Sequence, residues 1–168
     1  MATITPATAA DAPALKDLLE AAYRGDSARA GWNHEADILD DERIERAELD
    51  AMLADPAVTV LTARDGDSLT GCVAVTRIDS RLGYLGMLCV LPTLQSAGLG
   101  RRLLDAAEDL ARALGIAAME MTVIDSRASL IAWYERRGYA LTGERRPFPI
   151  RRDPPITFVV LEKPLGRA

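Results

Sequence analysis

One stretch of the sequence constrains the fold of this chain most. It is an apolar run from Tyr84 to Leu91, followed by a glycine-containing loop and a long amphipathic segment. The run is too short for a free-standing helix and is closed by Pro92, so it predicts a buried strand. Apolar side chains then recur at helical spacing from Leu99 to Leu114, with charged side chains on the other face, and Gly115 ends the pattern. The stretch therefore predicts a strand, a loop and a helix in that order.

The loop between this strand and helix has the features of an anion-binding site. It has the sequence QSAGLG over residues 95–100, and its two glycines lack a Cβ, so a phosphate can approach the main chain closely. The first N–H groups of the helix have no partner within the helix and point beyond its N-terminus. The pattern is neither the G-x-x-x-x-G-K-[ST] of a P-loop nor the G-x-G-x-x-G of a Rossmann unit. It therefore favours neither nucleotide hydrolysis nor dinucleotide redox chemistry.

Two segments together resemble the GNAT superfamily of acyl-CoA N-acyltransferases. The first is Q-x-x-G-x-G after an apolar strand that ends in V-x-P, which is similar to the pyrophosphate-binding signature of that family. The second is Met121 to Tyr139, where a predicted strand leads to a helix that carries Tyr134 and ends at Arg137-Gly138-Tyr139. The two signatures stand in the order and spacing of the family, and the resemblance covers essentially the whole chain.

Bulk composition limits the class of protein. A chain of 168 residues that is 49% hydrophobic and 27% charged predicts one globular domain, here residues 1–168. No apolar run approaches the length of a membrane span and no signal-peptide pattern is present, so we expect a cytoplasmic protein without a membrane partner. The net charge of −5 argues against nucleic-acid binding. Cys72 and Cys89 lie in strand-like apolar surroundings and His34 is the one histidine, so neither a disulfide nor a metal is expected.

The flanking segments predict the remaining elements of the chain. Asp11-Ala12-Pro13 is typical of a helix start, with Asp11 as the cap, and Asp65-Gly66 is typical of a hairpin turn. The prolines in residues 144–155 predict a long loop or hairpin arm. The other predicted strands are Ala2–Thr5, Val58–Ala63, Leu69–Ile78, Ala117–Ile124, Tyr139–Gly143 and Ile156–Leu161, and the other predicted helices are Asp41–Ala54 and Arg127–Arg137.

The resulting order, β-α-α-β-β-β-α-β-α-β-β, predicts an α/β (α+β) fold with a mixed sheet and helices on both faces. The GNAT resemblance implies a mostly antiparallel sheet with one splayed parallel pair, formed by the strand before the glycine loop and the strand after the central helix. The gap between residues 85–91 and 118–124 is then the place where the pantetheine arm of a cofactor enters.

The resemblance also implies acetyl-CoA as the co-substrate, without a metal. Main-chain groups of Leu88, Cys89 and Val90 are expected to pair with the acyl-pantetheine. Arg127 stands where many members have an asparagine, and it can still reach a cofactor phosphate or carbonyl. The pyrophosphate is expected to lie on Gln95, Ser96, Ala97, Gly98, Leu99, Gly100 and Arg101.

Tyr134 is the predicted catalytic residue. On the family pattern its hydroxyl acts as general acid toward the leaving thiolate, and a phenol with a pKa near 10 and a thiol near 8.5 are close enough to share a proton. The alternative is that Tyr134 and Trp133 only anchor the last helix to the sheet. The base that deprotonates the amine is not assigned; its candidates by position are His34, Glu35, Asp79 and Glu120.

The loop between the first two helices is the predicted acceptor site. It carries Ser27, Trp32 and His34 and is followed by an acidic run over residues 35–50. An aromatic side chain beside carboxylates suits a cationic amine, although the acidic run is equally typical of a solvated helix face.

The predicted function is acetyl transfer from acetyl-CoA to a primary amine, in the first instance of a small molecule, by direct attack in a ternary complex. Two alternatives stay open: a protein or peptide amino-group acetyltransferase, and a non-catalytic acyl-CoA-binding or interaction module. The role of the arginine-rich arm over residues 145–152 also has two interpretations. The arm could contact cofactor phosphates or an anionic acceptor, or it could pair with a second subunit in a homodimer.

Overall fold

The computed structural model describes residues 2–23, 45–94, 98–148, 153 and 155–166. Within these ranges the strands and helices follow the predicted order, and no helix is both long and apolar enough to cross a membrane. The elements are β1 (Thr3–Pro6), α1 (Ala12–Tyr23), α2 (Arg46–Ala54), β2 (Val58–Asp65), β3 (Ser68–Arg77), β4 (Leu82–Val90), α3 (Leu99–Ala113), β5 (Ala118–Ile124), α4 (Ala128–Glu135), β6 (Ala140–Pro147) and β7 (Thr157–Pro164).

The strands form one mixed sheet in the order β1-β2-β3-β4-β5-β7-β6. Every neighbouring pair is antiparallel except β4 and β5, which run parallel. The pairing of β4 with β5 covers Leu82, Gly83 and Tyr84 and stops at Tyr84 opposite Glu120. The predicted fold class, including a parallel pair that separates toward the end of β4, is therefore confirmed.

Side chains alternate between two apolar clusters on opposite faces of the sheet. Val73 and Val75 of β3 belong to the cluster beneath α3 and α4, while Cys72 and Ala74 belong to the cluster beneath α1 and α2. This alternation is the period-two pattern of a strand buried on both faces. Cys72 and Cys89 are buried on neighbouring strands without a disulfide, with their Sγ atoms 3.5 Å apart, so the two cysteines are core residues as predicted.

Two helix starts differ from the prediction. The second helix was predicted from Asp41, but Glu45 is extended and the helix begins at Arg46, which places Glu48 in the first turn beside the positive end of the helix dipole. Residues 41–44 lie outside the described part. Asp11 is not the cap of the first helix either. It closes a short 3-10 turn ahead of α1, and its carboxylate accepts the Thr8 N–H at 2.7 Å and pairs with Arg64 of β2.

The arm after β6 also begins later than predicted. Residues 144–147 continue β6 as a strand, and Pro147 pairs with Thr157 of β7. A proline is tolerated there because β6 is the edge of the sheet, where one side of the strand has no ladder to join. A register shift between Leu141 and Arg145, with Gly143 at φ 87°, lets the strand resume after the bulge.

Replacing Asp11 by asparagine is expected to lower the free energy of unfolding at pH 7 by about 1 kcal/mol, the usual value of a capping interaction. The Thr8 N–H, and next the Arg64 guanidinium, hold the pKa of Asp11 below its ordinary value. A carboxyl group whose pKa is lower in the folded than in the unfolded protein stabilises the folded state at pH values above its unfolded pKa, which is near 4. This contribution is lost as the pH falls through the lower, folded pKa.

Urea unfolding of the wild type and of Asp11→Asn at pH 7 and pH 3 measures this effect, and the gap between the two proteins should shrink at pH 3. Asp109→Asn is the control, because Asp109 is 78% exposed and its ion pair among the described residues is with Arg112 of the same helix. A gap that is the same at both pH values would contradict the prediction.

Candidate functional site

The N-terminus of α3 has the geometry that an anion needs. Gly98 precedes the helix in the left-handed conformation at φ 82°, and a Cβ built on it meets no atom within 4 Å. The main chain of the loop is thus open to an approaching group at this position. Leu99, Gly100 and Arg101 form the first turn, whose N–H groups have no partner within the helix. Gln95, Ser96 and Ala97 lie outside the described residues.

A bulge interrupts β4 and includes Leu88, the first of the three residues that were predicted to pair with pantetheine. Cys89 pairs with Cys72 and Gly86 pairs with Ala74, so Met87 and Leu88 together oppose the single residue Val73. Met87 adopts φ 55°, which is unusual for a residue with a side chain and marks local strain. Leu88 is the second residue of the bulge, and Cys89 and Val90 follow it at the end of β4 that leads toward α3. The bulge was not predicted, because no residue type in this run indicates one.

Tyr134 lies in the apolar cluster that also contains Leu88 and Val90. The residue is 6% exposed, and its ring stands edge-on to those of Trp133 and Tyr139, with ring centres 5.0 and 5.8 Å away. The indole of Trp133 lies beside Gly100, where an added Cβ would be 3.9 Å from the ring. The last helix is therefore packed against the start of α3, and Tyr134 is held by rings on two sides.

Arg127 stands directly before α4, where its N–H donates to the carbonyl of Ile124 and its carbonyl accepts from Ile131. Because β5 runs parallel to β4, the start of α4 and the start of α3 lie at the same end of the sheet. Arg127 is thus on the side of the sheet that carries the glycine loop.

A buried acidic group links α3 to the last strands, and sequence reasoning missed it. Glu108 of α3 accepts a hydrogen bond from the Tyr139 hydroxyl at 2.9 Å and from Lys163 Nζ at 2.8 Å, and its side chain is 4% exposed. Burial, and then the charge of Glu108, raise the pKa of Tyr139, which keeps its hydroxyl protonated as a donor. Gly138, at φ 98°, passes close to the stem of Lys163, where a Cβ would be 3.1 Å from Cε.

Glu120 is the base candidate that lies where the parallel strands part. It is buried on β5, and both carboxylate oxygens accept from Arg146 of β6, at 3.1 and 3.2 Å. Nearby, the hydroxyls of Tyr84 and Thr122 are 2.7 Å apart across the two strands. Arg145 pairs with Asp125 at 3.1 Å, so two arginines of the predicted arm form ion pairs within the chain.

Asp79 lies far from the glycine loop. Its carboxylate accepts from the N–H groups of Leu82 and Arg81 in the turn before β4, and these bonds lower its pKa. The nine residues of β4 place this turn about 30 Å from the end that leads to α3. Asp79 is thus a turn residue, and the structure does not bring it to the site.

The predicted acceptor residues Ser27, Trp32 and His34, and the base candidate Glu35, lie outside the described residues. In the described ranges, no group of three histidine, cysteine, aspartate or glutamate side chains could hold a metal ion.

Comparisons with known proteins agree with this architecture. The model of the acetyltransferase (GNAT) family matches residues 13–139. The chain is 36% identical to an IAA acetyltransferase of Azospirillum brasilense over 146 residues, which is 85% of this chain and 84% of that protein.

Two solved structures share the fold. The ribosomal-protein-S18-alanine N-acetyltransferase of Escherichia coli superposes with a TM-score of 0.76 at 18% identity, over 100% of this chain and 96% of that one. The yncA protein of Salmonella typhimurium, whose structure contains its cofactor acetyl-CoA, superposes with a TM-score of 0.74 at 21% identity and the same coverage. On the family match and the Azospirillum relative, this chain belongs to the GNAT family of acetyltransferases, and it is an acyltransferase.

Proposed function

We propose that the protein transfers an acetyl group from acetyl-CoA to a primary amine, in the first instance of a small molecule, by direct attack in a ternary complex. The observation that carries the proposal is the left-handed Gly98 at the start of α3, where a side chain would occupy open space over the main chain. A pyrophosphate at this position would receive the first N–H groups of the helix and the favourable end of its dipole. The Salmonella protein of the same fold holds acetyl-CoA, which supports this cofactor here.

The residues of this chain then have separate tasks. Bound acetyl-CoA supplies an acetyl group activated as a thioester. Main-chain groups of Leu88, Cys89 and Val90 bind the pantetheine arm in the gap that opens between β4 and β5 beyond Tyr84. Residues 95–101 hold the pyrophosphate, and Arg127 assists from the start of α4. The buried Tyr134 hydroxyl donates a proton to the departing sulfur, a step that the rings of Trp133 and Tyr139 support by fixing its side chain.

The amine acceptor is proposed from charge and from the named relatives. The acidic run over residues 35–50, in a chain of net charge −5, attracts a cation, and Trp32 offers a face for it. The Azospirillum relative is named for IAA, and the Escherichia coli neighbour for an alanine of a ribosomal protein. Because these names differ in acceptor class, IAA and an alanine-initiated peptide belong in the screen beside small amines.

Thermal unfolding with and without acetyl-CoA tests the cofactor site. A ligand at a hundredfold excess over its Kd stabilises by about 2.7 kcal/mol, which raises Tm by roughly 5 to 10 °C in a chain of this size. We expect this rise in the wild type and its loss in Gly98→Val, whose side chain fills the space above the loop.

Gly66→Val is the matched control. Gly66 is also left-handed, at φ 62°, and also has open space at its Cβ, but it lies in the hairpin between β2 and β3. Both variants lose stability through backbone strain, and only the Gly66 variant should keep the rise in Tm with acetyl-CoA. A wild type without any rise at millimolar acetyl-CoA would contradict the proposal.

The acceptor is then sought by following release of the CoA thiol with each compound of the screen and identifying the acetylated product by mass spectrometry. Turnover with small amines, but not with the peptide, is the expected result. Turnover with the peptide alone would replace a small-molecule acceptor by a peptide amino group and leave the cofactor assignment intact.

A further inference from the structure

The gap that opens between β4 and β5 has a closed end, and a tyrosine lies there. The two parallel strands pair through Leu82, Gly83 and Tyr84, and the pairing stops where Tyr84 stands opposite Glu120. Beyond this point β4 continues for six residues to Val90, at the end of the sheet that leads to α3. A molecule that enters the gap from the α3 end therefore meets the level of Tyr84 last.

The ring of Tyr84 leans from the closed end into the open part of the gap. Gly86 faces the same side of the sheet as Tyr84, because successive residues of a strand alternate between its two faces. A Cβ built on Gly86 would lie 3.3 Å from Cε1 and 3.7 Å from Cδ1 of that ring. The ring thus lies along the strand over a residue that has no side chain, and any other residue at position 86 would press on it.

A hydrogen bond fixes the far end of the same ring on the opposite strand. The hydroxyls of Tyr84 and Thr122 are 2.7 Å apart. Thr122 is two residues beyond Glu120 and pairs with Val160 of β7. The side chain of Tyr84 therefore crosses from β4 to β5 at a level where the main chains of these strands no longer pair. Glu120, the carboxylate nearest this level on β5, already accepts two hydrogen bonds from Arg146, at 3.1 and 3.2 Å.

Apolar side chains occupy the other face of the two strands at this level. Leu85 of β4 and Met121 of β5 belong to the buried cluster beneath α3 and α4, which also contains Leu88, Val90 and Tyr134. The closed end is thus bounded by hydrocarbon on one face and by an aromatic ring on the other. Such surroundings suit a short apolar group, and their close packing resists the insertion of further carbon atoms.

We propose that Tyr84, held in place by Thr122, limits the length of the acyl group that the protein transfers and selects acetyl over longer chains. The inference rests on the proposed function, in which the pantetheine arm enters from the α3 end and its sulfur lies near Tyr134. The acyl group then continues from the sulfur toward the closed end. Leu88 lies four positions beyond Tyr84, about 13 Å along an extended strand, and the bulge and the lean of the ring shorten this space.

Calorimetric titration measures this limit directly, without turnover. The ligands are CoA, acetyl-CoA, butyryl-CoA and hexanoyl-CoA. Tyr84→Ala removes the ring, and Tyr84→Val does the same with a side chain that favours strands. Tyr84→Phe keeps the ring and removes the hydroxyl. Phe158→Ala is the control for the loss of an aromatic ring, because Phe158 lies on β7 and its ring contacts that of Phe148, with the ring centres 5.2 Å apart.

We expect the wild type to bind butyryl-CoA about 10- to 100-fold more weakly than acetyl-CoA, the range for forcing methylenes into a packed site, and hexanoyl-CoA more weakly still. In Tyr84→Ala and Tyr84→Val the difference between butyryl-CoA and acetyl-CoA should fall to within about threefold, while the affinity for CoA stays unchanged. Tyr84→Phe should retain most of the discrimination, since its ring still fills the space. Phe158→Ala should behave as wild type. Turnover of the same donors with the acceptor found in the screen should follow the same order.

A wild type that binds acetyl-CoA and hexanoyl-CoA equally well would overturn the inference. Alanine and valine variants that discriminate as sharply as the wild type would overturn it as well. Tm of each variant without ligand identifies one that does not fold, and the other variant of the pair then decides. Failure of the proposed function looks different, because CoA itself would then not bind, and this inference would fall with it.

Discussion

Tyr134→Phe is expected to lower kcat for acetyl transfer by about 10²- to 10⁴-fold, the range that a general acid contributes. The substitution removes only the hydroxyl, so the phenylalanine ring can keep the contacts with Trp133 and Tyr139. Binding of acetyl-CoA should change little, so kcat and kcat/KM should fall together while KM for acetyl-CoA stays within a few-fold. Steady-state kinetics with the acceptor found in the screen, combined with Tm of each protein, measures this.

Tyr139→Phe is the matched control for the loss of a tyrosine hydroxyl. Its ring centre is 5.8 Å from that of Tyr134, but its hydroxyl is directed to Glu108 of α3. This variant should lose stability and keep most of its kcat. If Tyr134→Phe retained kcat and lost only stability, Tyr134 would be an anchor of α4 and the proton would reach the sulfur from elsewhere.

Lys163→Met is expected to lower the free energy of unfolding by about 3 kcal/mol, at the lower end for breaking a buried ion pair. Lys163 supplies the shortest hydrogen bond to Glu108, at 2.8 Å, and the Glu108 side chain is 4% exposed. Without the lysine, the carboxylate keeps Tyr139 as a hydrogen-bond donor, and the next cation among the described residues is Arg112 at 3.8 Å. The lower estimate applies because the Lys163 side chain is itself 23% exposed.

Urea unfolding of the double variant Lys163→Met, Glu108→Gln separates charge from packing. The glutamine amide carries no charge and can still accept a hydrogen bond from Tyr139, so the double variant should recover most of the lost stability. Arg81→Gln removes an exposed pair with Glu162 and should cost less than about 1 kcal/mol. A double variant as unstable as Lys163→Met alone would mean that the lysine stem, rather than its charge, stabilises this region.

Most of the architecture could be predicted because its signals are local. The order of strands and helices follows from apolar periodicity, and the hairpin between β2 and β3 follows from Asp65-Gly66, whose glycine is at φ 62°. The incorrect predictions concern residues whose local structure involves contacts with other parts of the fold. Pro147 lies in a strand because β7 pairs with it on one side and the other side is the edge of the sheet. Asp11 accepts the Thr8 N–H within a local turn and also pairs with Arg64, which is 53 residues further along the chain.

The sequence by itself determined the strand, loop and helix that we propose as the pyrophosphate site, since segments that are adjacent in the chain are adjacent in space. It also placed Tyr134 on the last helix. Only the tertiary structure decided what surrounds these residues. The bulge at Met87 depends on the register of two strands, and the burial of Glu108 depends on Lys163 reaching it across 55 residues. Such contacts join residues far apart in the chain, and no local pattern encodes them.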